Sequence, residues 1–356
     1  MALEPITYGD TSGALGRRIH AGDQTLLLTI PPGPPGTQNG TLVGDANLLF
    51  GHAIGGNDTL STDSAYPMFP VIIGDALTIT GHAQGGNDHI NGQAAAGPFY
   101  GDAETLSGSA RGGDDTISAP GGGPLGAGST AVGDAHVMTD RAQGGNDIVS
   151  ATGTASGDAD TISGAAVGGD DTVTALSGTL PIAYGDAETI TDKGEGGDDT
   201  VMGPSASQAT AQLYGDANTL SGFAVGGDDT VMAQGATTQM YGDGEQLLDR
   251  AKGGNDRLIS GSGNDQMWGD ASVVGPRAET GADVFVFSSP NGHDIIEDFE
   301  PGKDHIELNG YGFANFNDVE NHLLDTGAGM FIIFDVNNNI EIVGIHQVSA
   351  SDFILA

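Results

Sequence analysis

Aspartates at two fixed offsets run through this chain, and carboxylates repeated in register can gather hard cations or pair as acid and base. The dipeptide Gly-Asp, usually continued by Ala, begins at Gly9, Gly44, Gly74, Gly101, Gly133, Gly157, Gly185, Gly215, Gly242 and Gly269. With that glycine as position zero, position +1 is Asp10 in the first unit. In the later units it is Asp45, Asp75, Asp102, Asp134, Asp158, Asp186, Asp216, Asp243 and Asp270. Position +14 is Asp23 in the first unit, followed by Asp58, Asp88, Asp115, Asp147, Asp171, Asp199, Asp229, Asp256 and Asp283. In eight of the ten units the second aspartate closes a Gly-Gly-Asn-Asp or Gly-Gly-Asp-Asp motif. Unit starts are 24 to 35 residues apart, so every insertion falls outside the fixed segment and all ten units keep one register.

Such a repeat is the signature of units that stack on one another. Stacking places like charges directly opposite, which is destabilising. At a separation near 5 Å each pair costs about 3 kcal/mol at intermediate dielectric. A calcium ion between turns removes that cost, because it accepts carboxylate and carbonyl oxygens in flexible geometry. Asx turns would explain the aspartate of one unit. Ten units in register predict multiple calcium ions on the two columns.

The elements that must hold these columns can be read from the neighbouring positions. Position +5 is Ala14, Leu49, Ile79, Leu106, Met138, Ile162, Ile190, Leu220, Leu247 and Val274, and position +16 is apolar in nine units, from Leu60 to Phe285. Positions +2 and +9 are each Ala in eight units. Apolar and polar residues alternate with period two between +5 and +9, which is a strand signature. No such strand buries enough alone, and stacking aligns each column into a continuous apolar ladder. The fold predicted is all-β, a parallel β-solenoid of about ten coils over residues 1–280, roughly 45–50 Å long, closed by a small β-rich cap over 281–356. The first coil is the most degenerate. A polyproline-like insertion, PPGPPG at residues 31–36 within a Pro/Gly-rich stretch to residue 40, separates it from the second.

Composition agrees. The 356 residues carry 48 acidic and 10 basic side chains, a net charge of −38, with 61 glycines and 6% aromatics. That balance excludes nucleic acid as a partner, and the lack of cysteine excludes disulfides and thiolate metal sites. The longest apolar run, Met330 to Phe334, is far too short to cross a bilayer. The N-terminus shows no basic and apolar leader, so the expected export signal lies elsewhere.

Residues 253–270, GGNDRLISGSGNDQMWGD, resemble the nonapeptide of the RTX calcium-binding β-roll proteins. There Asp256 and Asp265 are nine residues apart, which adds Asp265 to the candidate calcium ligands. Elsewhere each unit keeps one Gly-Gly-Asn/Asp-Asp half-turn while the other half opens with Gly-Asp-Ala, so the resemblance favours calcium at the +14 column over the +1 column. Residues 281–356 resemble the C-terminal domain of RTX proteins exported by type I secretion, best known from serralysin-type proteases. The stretches that carry this are Gly281–Phe287, Gly292–Ile296, Asp298-Phe299, Pro301–Leu308 and the apolar ending Asp352–Ala356. The resemblance implies a C-terminal export signal and an extracellular or cell-surface location. Read without the family, Asn317 and Glu320 predict a capping box opening a short helix to Leu324, and Phe331–Phe334 with Ile340–Val343 predict a hairpin.

The sequence contains no zinc-protease, Walker, nucleophile-elbow or dinucleotide motif, and no catalytic residue is assigned. His52 and His82 share position +8 in adjacent coils and should stack on an outer face. Position +8 takes five of the ten basic residues, and position −1 takes five of seven tyrosines and the sole Trp268. Charge balance accounts for the first column and ladder packing for the second. The alternative is that both are contact lines for neighbouring rods or an anionic polysaccharide. The expected function is a secreted, calcium-dependent, non-catalytic structural protein: a self-assembling subunit of a surface layer, filament or biofilm matrix. A calcium-dependent adhesin or glycan-binding module is the alternative, and a polysaccharide-modifying enzyme the third.

Overall fold

The computed structural model describes residues 6–16, 18–28, 40–62, 69–93, 96–121, 128–205, 210–235 and 237–356. Arg17 and the PPGPPG insertion lie outside them. The chain winds into a β-solenoid in which each coil gives one strand to each of three parallel sheets. In the coil around Gly44, Thr41–Val43 joins the first sheet, Ala46–Gly51 the second and Thr59–Thr62 the third. Every later coil repeats the pattern through Gln266–Trp268, Ala271–Val274 and Val284–Ser288. The second sheet has ten strands among the described residues, in strict chain order. Between +9 and +11 a fourth, one-residue ladder joins Ile54, Gln84, Arg111, Gln143, Val167, Glu195, Val225, Lys252 and Glu279 in parallel bridges.

The apolar columns become two separate cores. One lies between the first and third sheets and takes position −2 with position +16: Leu42, Ile72 and Phe99 against Leu60, Ile90 and Ile117. The other lines the second sheet with Ala46, Leu49, Ala53 and their equivalents. Small residues at +2 and +9 let the second core close around one large side chain per coil. In every coil the chain passes from one core to the other at zero/+1 and again at +11 to +14, where the glycines and aspartates stand. Glycine at +12 is required by close approach of coils: a Cβ on Gly197 would lie 1.6 Å from the Gly169 carbonyl oxygen.

The first coil departs from the expected register. Thr11 pairs with Ala46, but Ala14 and Leu15 pair with Leu48 and Leu49, a shift of one residue. Thr25 then faces Thr59, so Gln24 rather than Asp23 stands beside Asp58 in the +14 column. Coils two to ten keep the register read from the sequence.

At the C-terminal end the first and third sheets run on after the second stops. His293–Ile296 and His305–Asn309 continue them in parallel, and no strand of the second sheet lies between. Asn339–Val343 then pairs parallel to His293–Ile296 and antiparallel to Gly329–Ile333, which gives the expected hairpin. Phe353–Leu355 closes the third sheet against His305–Asn309. The helix spans Phe316–Glu320, and its capping box is made by Asn315 and Asp318. That is two residues earlier than the Asn317 and Glu320 pairing read from the sequence, because Asp318, not Glu320, reaches back to the cap backbone.

Candidate metal centre

Both aspartate columns lie inside the solenoid, at the two passages between the cores. Asp45 to Asp270 at +1 and Asp58 to Asp283 at +14 are all 3% exposed or less. Each column is held by its own main-chain pattern. A +1 carboxylate accepts the N–H of the +12 glycine of its own coil, as Asp45 does from Gly56 and Asp216 from Gly227. A +14 carboxylate accepts the N–H of the +14 aspartate one coil earlier: Asp58 donates to Asp88 at 2.6 Å, Asp88 to Asp115, and so on to Asp283. The exposed +13 residues bond in the opposite sense, with Asp198 N–H donating back to Asp170.

These bonds use one oxygen of each carboxylate. The other oxygen is buried without a hydrogen-bond partner in sixteen of the nineteen aspartates read from the sequence. They are Asp45, Asp75, Asp102, Asp158, Asp186, Asp216 and Asp243 at +1, and all nine of Asp58 to Asp283 at +14. A buried, unpartnered carboxylate oxygen costs far more than a neutral group left in the same way. Three aspartates differ. Asp134 sets both oxygens on the Gly145 N–H, at 3.1 and 3.2 Å. Asp270 binds the Gly281 N–H. Asp265 stands apart from both columns: its Oδ1 accepts from the Thr238 N–H and hydroxyl, and its Oδ2 from the Gly261 N–H.

The electrostatics follow from this burial. Desolvation raises the pKa of Asp45 to about 6 and of Asp58 and Asp186 to about 7. Asp283 is pushed to about 9, by burial first and then by Asp270. In the middle of the rod the shift is upward everywhere, burial leading and the partner column adding to it, as with Asp186 acting on Asp199 and Asp243 on Asp256. Successive +1 carboxylates stand within hydrogen-bonding reach of one another. As arranged, the columns need protons or cations.

The donors present suit a hard cation. A Cβ built on Gly44 would meet the Gly74 carbonyl oxygen at 1.7 Å and Asp58 Oδ2 at 2.1 Å, so a carbonyl and a partnerless carboxylate oxygen converge on one cradle. The same pair of groups recurs at Gly74, Gly101, Gly133 and Gly157. At +11, a Cβ on Gly112 would meet Asp134 Oδ1 at 1.5 Å and Asp102 Oδ2 at 2.6 Å, which joins two coils of the +1 column. Among the described residues no three His, Asp or Glu side chains close round one point. A cation here would draw on carboxylates together with main-chain carbonyls, a donor set of oxygen alone that fits Ca²⁺ and not Zn²⁺. Sequence reasoning missed Gln24, whose partnerless Oε1 occupies the same cradle at Gly9 and gives the +14 column a neutral end. Its signal, one residue of slip in the first coil, was hidden by the apparent register of Asp23.

The sequence model described as peptidase M10 serralysin C terminal matches residues 143–355. The chain belongs to this family. No curated protein matches it. In this serralysin C-terminal chain the match begins in the fifth coil and runs to the closing strand, so it spans coils and C-terminal region alike. It covers the part of such proteins that is a non-catalytic β-roll. Coils two to four, ahead of the match, carry the same two columns with the same hydrogen bonds.

The two surface columns resolve differently. Tyr184, Tyr214 and Tyr241 at −1 are 6%, 1% and 4% exposed and stack with Trp268 at centroid distances of 5.0, 4.8 and 4.5 Å. This part of the column packs as a ladder, each ring covered by the next coil's. The His52 and His82 rings stack at 5.3 Å on the outside, as their shared position predicts.

Proposed function

We propose that this chain is an exported rod whose coils are folded by multiple calcium ions and which serves as a structural subunit outside the cell, in a surface layer, filament or matrix, without catalysis of its own. The observation that carries the reading is the set of sixteen buried carboxylate oxygens left without a partner. Calcium supplies the positive charge and the coordination that those oxygens lack. The residues that would hold it are the +14 aspartates with the zero-position glycine carbonyls, and the +1 aspartates in successive pairs. Family membership supports export by type I secretion. Before calcium is met, repulsion among carboxylates keeps the coils open, and binding free energy becomes folding free energy where calcium is plentiful. In this reading the rods serve by self-association.

A second reading, a calcium-dependent adhesin or glycan-binding module, is favoured by the basic residues gathered along one edge of the rod. Circular dichroism and electron microscopy of the same samples, with calcium or chelator, separate the readings. Ordered sheets or filaments appearing with β signal only in calcium support the structural subunit. Folded monomers in calcium remove it in favour of the second reading. Equal folding in chelator overturns both.

A further inference from the structure

Among the described residues six basic side chains lie at +8 or +10 on one edge of the solenoid: Arg141, Lys193, Arg250 and Arg277 at +8, Arg111 and Lys252 at +10. Among the described residues several basic side chains are already matched. Lys252 pairs with Glu279 at 2.8 Å, Arg257 with Glu307 at 2.8 Å and Arg277 with Asp249 at 3.9 Å, and Arg250 lies over the Phe223 ring at 5.6 Å. Arg18, Arg111, Arg141 and Lys193 have no such pair, and of these Arg111 and Arg141 share a groove. Both are exposed, sit in adjacent coils and form no ion pair among the described residues. They line one groove with His82, Gln84, Ser109 and Gln143, so it crosses three successive coils and contains no carboxylate. The acid nearest in sequence, Asp140, has its Oδ2 on the Gly108 N–H at 3.1 Å.

We infer that this groove binds an anionic polysaccharide. Neither guanidinium fork forms an ion pair among the described residues, although Asp140 lines the adjoining hollow with Arg141, and Arg is suited to bidentate capture of an external carboxylate or sulfate. Gln84, Gln143 and Ser109 add neutral donors and acceptors for hydroxyls, and no large apolar side chain lines the groove. Arg111 and Arg141 come from successive coils, so the groove presents two cations along the rod axis to a polymer that carries repeated negative charge. A nucleic acid would need a denser basic surface. The inference goes beyond the structural reading and requires only that the coils be stacked.

The test uses the full chain in calcium, with short oligogalacturonates and dextran sulfate fragments as probes and neutral dextran as control, read by calorimetry. Binding to at least one charged probe is expected, weakened by added salt and absent for dextran. The double substitution Arg111→Ser and Arg141→Ser should weaken it tenfold or more while the calcium-dependent circular dichroism stays as in the parent. The substitution Lys193→Ser, on the same edge but outside the groove, should change it less than twofold. No binding of either charged probe overturns the inference, as does equal binding by the double variant or an equal loss with Lys193→Ser. Should the double variant instead lose an oligomer seen by sedimentation without glycan, the groove is a contact between copies and the inference is wrong. Because the dichroism of the variant is checked in calcium, failure here is distinct from failure of calcium folding.

Discussion

Buried aspartates in the coils and in residues 284–356 have the same chemistry and nearly the same burial, and opposite needs. In sixteen of the coil aspartates one oxygen of the carboxylate meets a backbone N–H and the other meets nothing. In the C-terminal region both oxygens are taken. Asp294 accepts from the Asp265 N–H, the Ser260 hydroxyl and the Asn291 amide. Asp304 accepts from the Asp283 and Glu300 N–H groups, and Asp352 from those of Gly302 and Ser349. The apolar side differs as well. The coils offer one or two medium side chains per core and turn, whereas the C-terminal region packs Phe285, Phe287, Phe299, Ile332, Ile340 and Phe353 together. The difference shows how one fold divides its labour: an end whose carboxylates are met by its own donors, and a shaft whose carboxylates leave coordination open for a ligand.

Removing calcium should therefore break the molecule at this boundary, and this is the largest effect expected. Hydrogen exchange of the full chain in chelator should show loss of protection across residues 44–256, with protection kept in Gly329–Ile333 and Asn339–Val343. Uniform loss, or uniform retention, would erase the contrast. The next effect is steric. Gly197→Ala places a Cβ 1.6 Å from the Gly169 carbonyl oxygen, whereas Gly327→Ala meets nothing within 4 Å. Denaturant melts in calcium should show Gly197→Ala destabilised by about 3 kcal/mol or more and Gly327→Ala within about 0.5 kcal/mol of the parent. The smallest effect sharpens the comparison between carboxylates. Asp199→Asn should shift the calcium midpoint of folding upward severalfold, because it removes charge from an oxygen that has no other partner. Asp304→Asn should leave that midpoint nearly unchanged and cost about 1–3 kcal/mol of stability, because its amide nitrogen faces an N–H group. A calcium titration followed by dichroism checks the first, a denaturant melt the second. Equal midpoint shifts for both variants would break the distinction.

Much of this was legible in the residues. Columns +5, +9 and +16 announced the apolar ladders, though not their division into two cores, and fixed offsets of the aspartates gave the register of nine coils. The stack of His52 on His82 followed from their shared position. What the sequence hid was set by distance along the chain. The first-sheet strands, such as Thr41–Val43, are three residues long and adjoin the variable insertions, too short for a period of two to show. The +1 aspartates looked the weaker candidates because only one glycine precedes them. Their burial comes from Gly55 and Gly56, eleven residues on, and from the neighbouring coil. Asp265 sits in the stretch most like the nonapeptide, yet its oxygens are taken by Thr238 and Gly261, and Thr238 lies one coil away. No local pattern reports a donor supplied from another turn.

The sole tryptophan ends the stack of Tyr184, Tyr214 and Tyr241, its ring 4.5 Å from that of Tyr241 and nearly parallel to it. Light absorbed by any of the three phenols can pass along the column and leave as indole emission, but only while four successive coils remain in register. The shaft thus carries its own optical gauge beside the C-terminal boundary, and excitation transfer within it reports the stacking of the last coils without any added label.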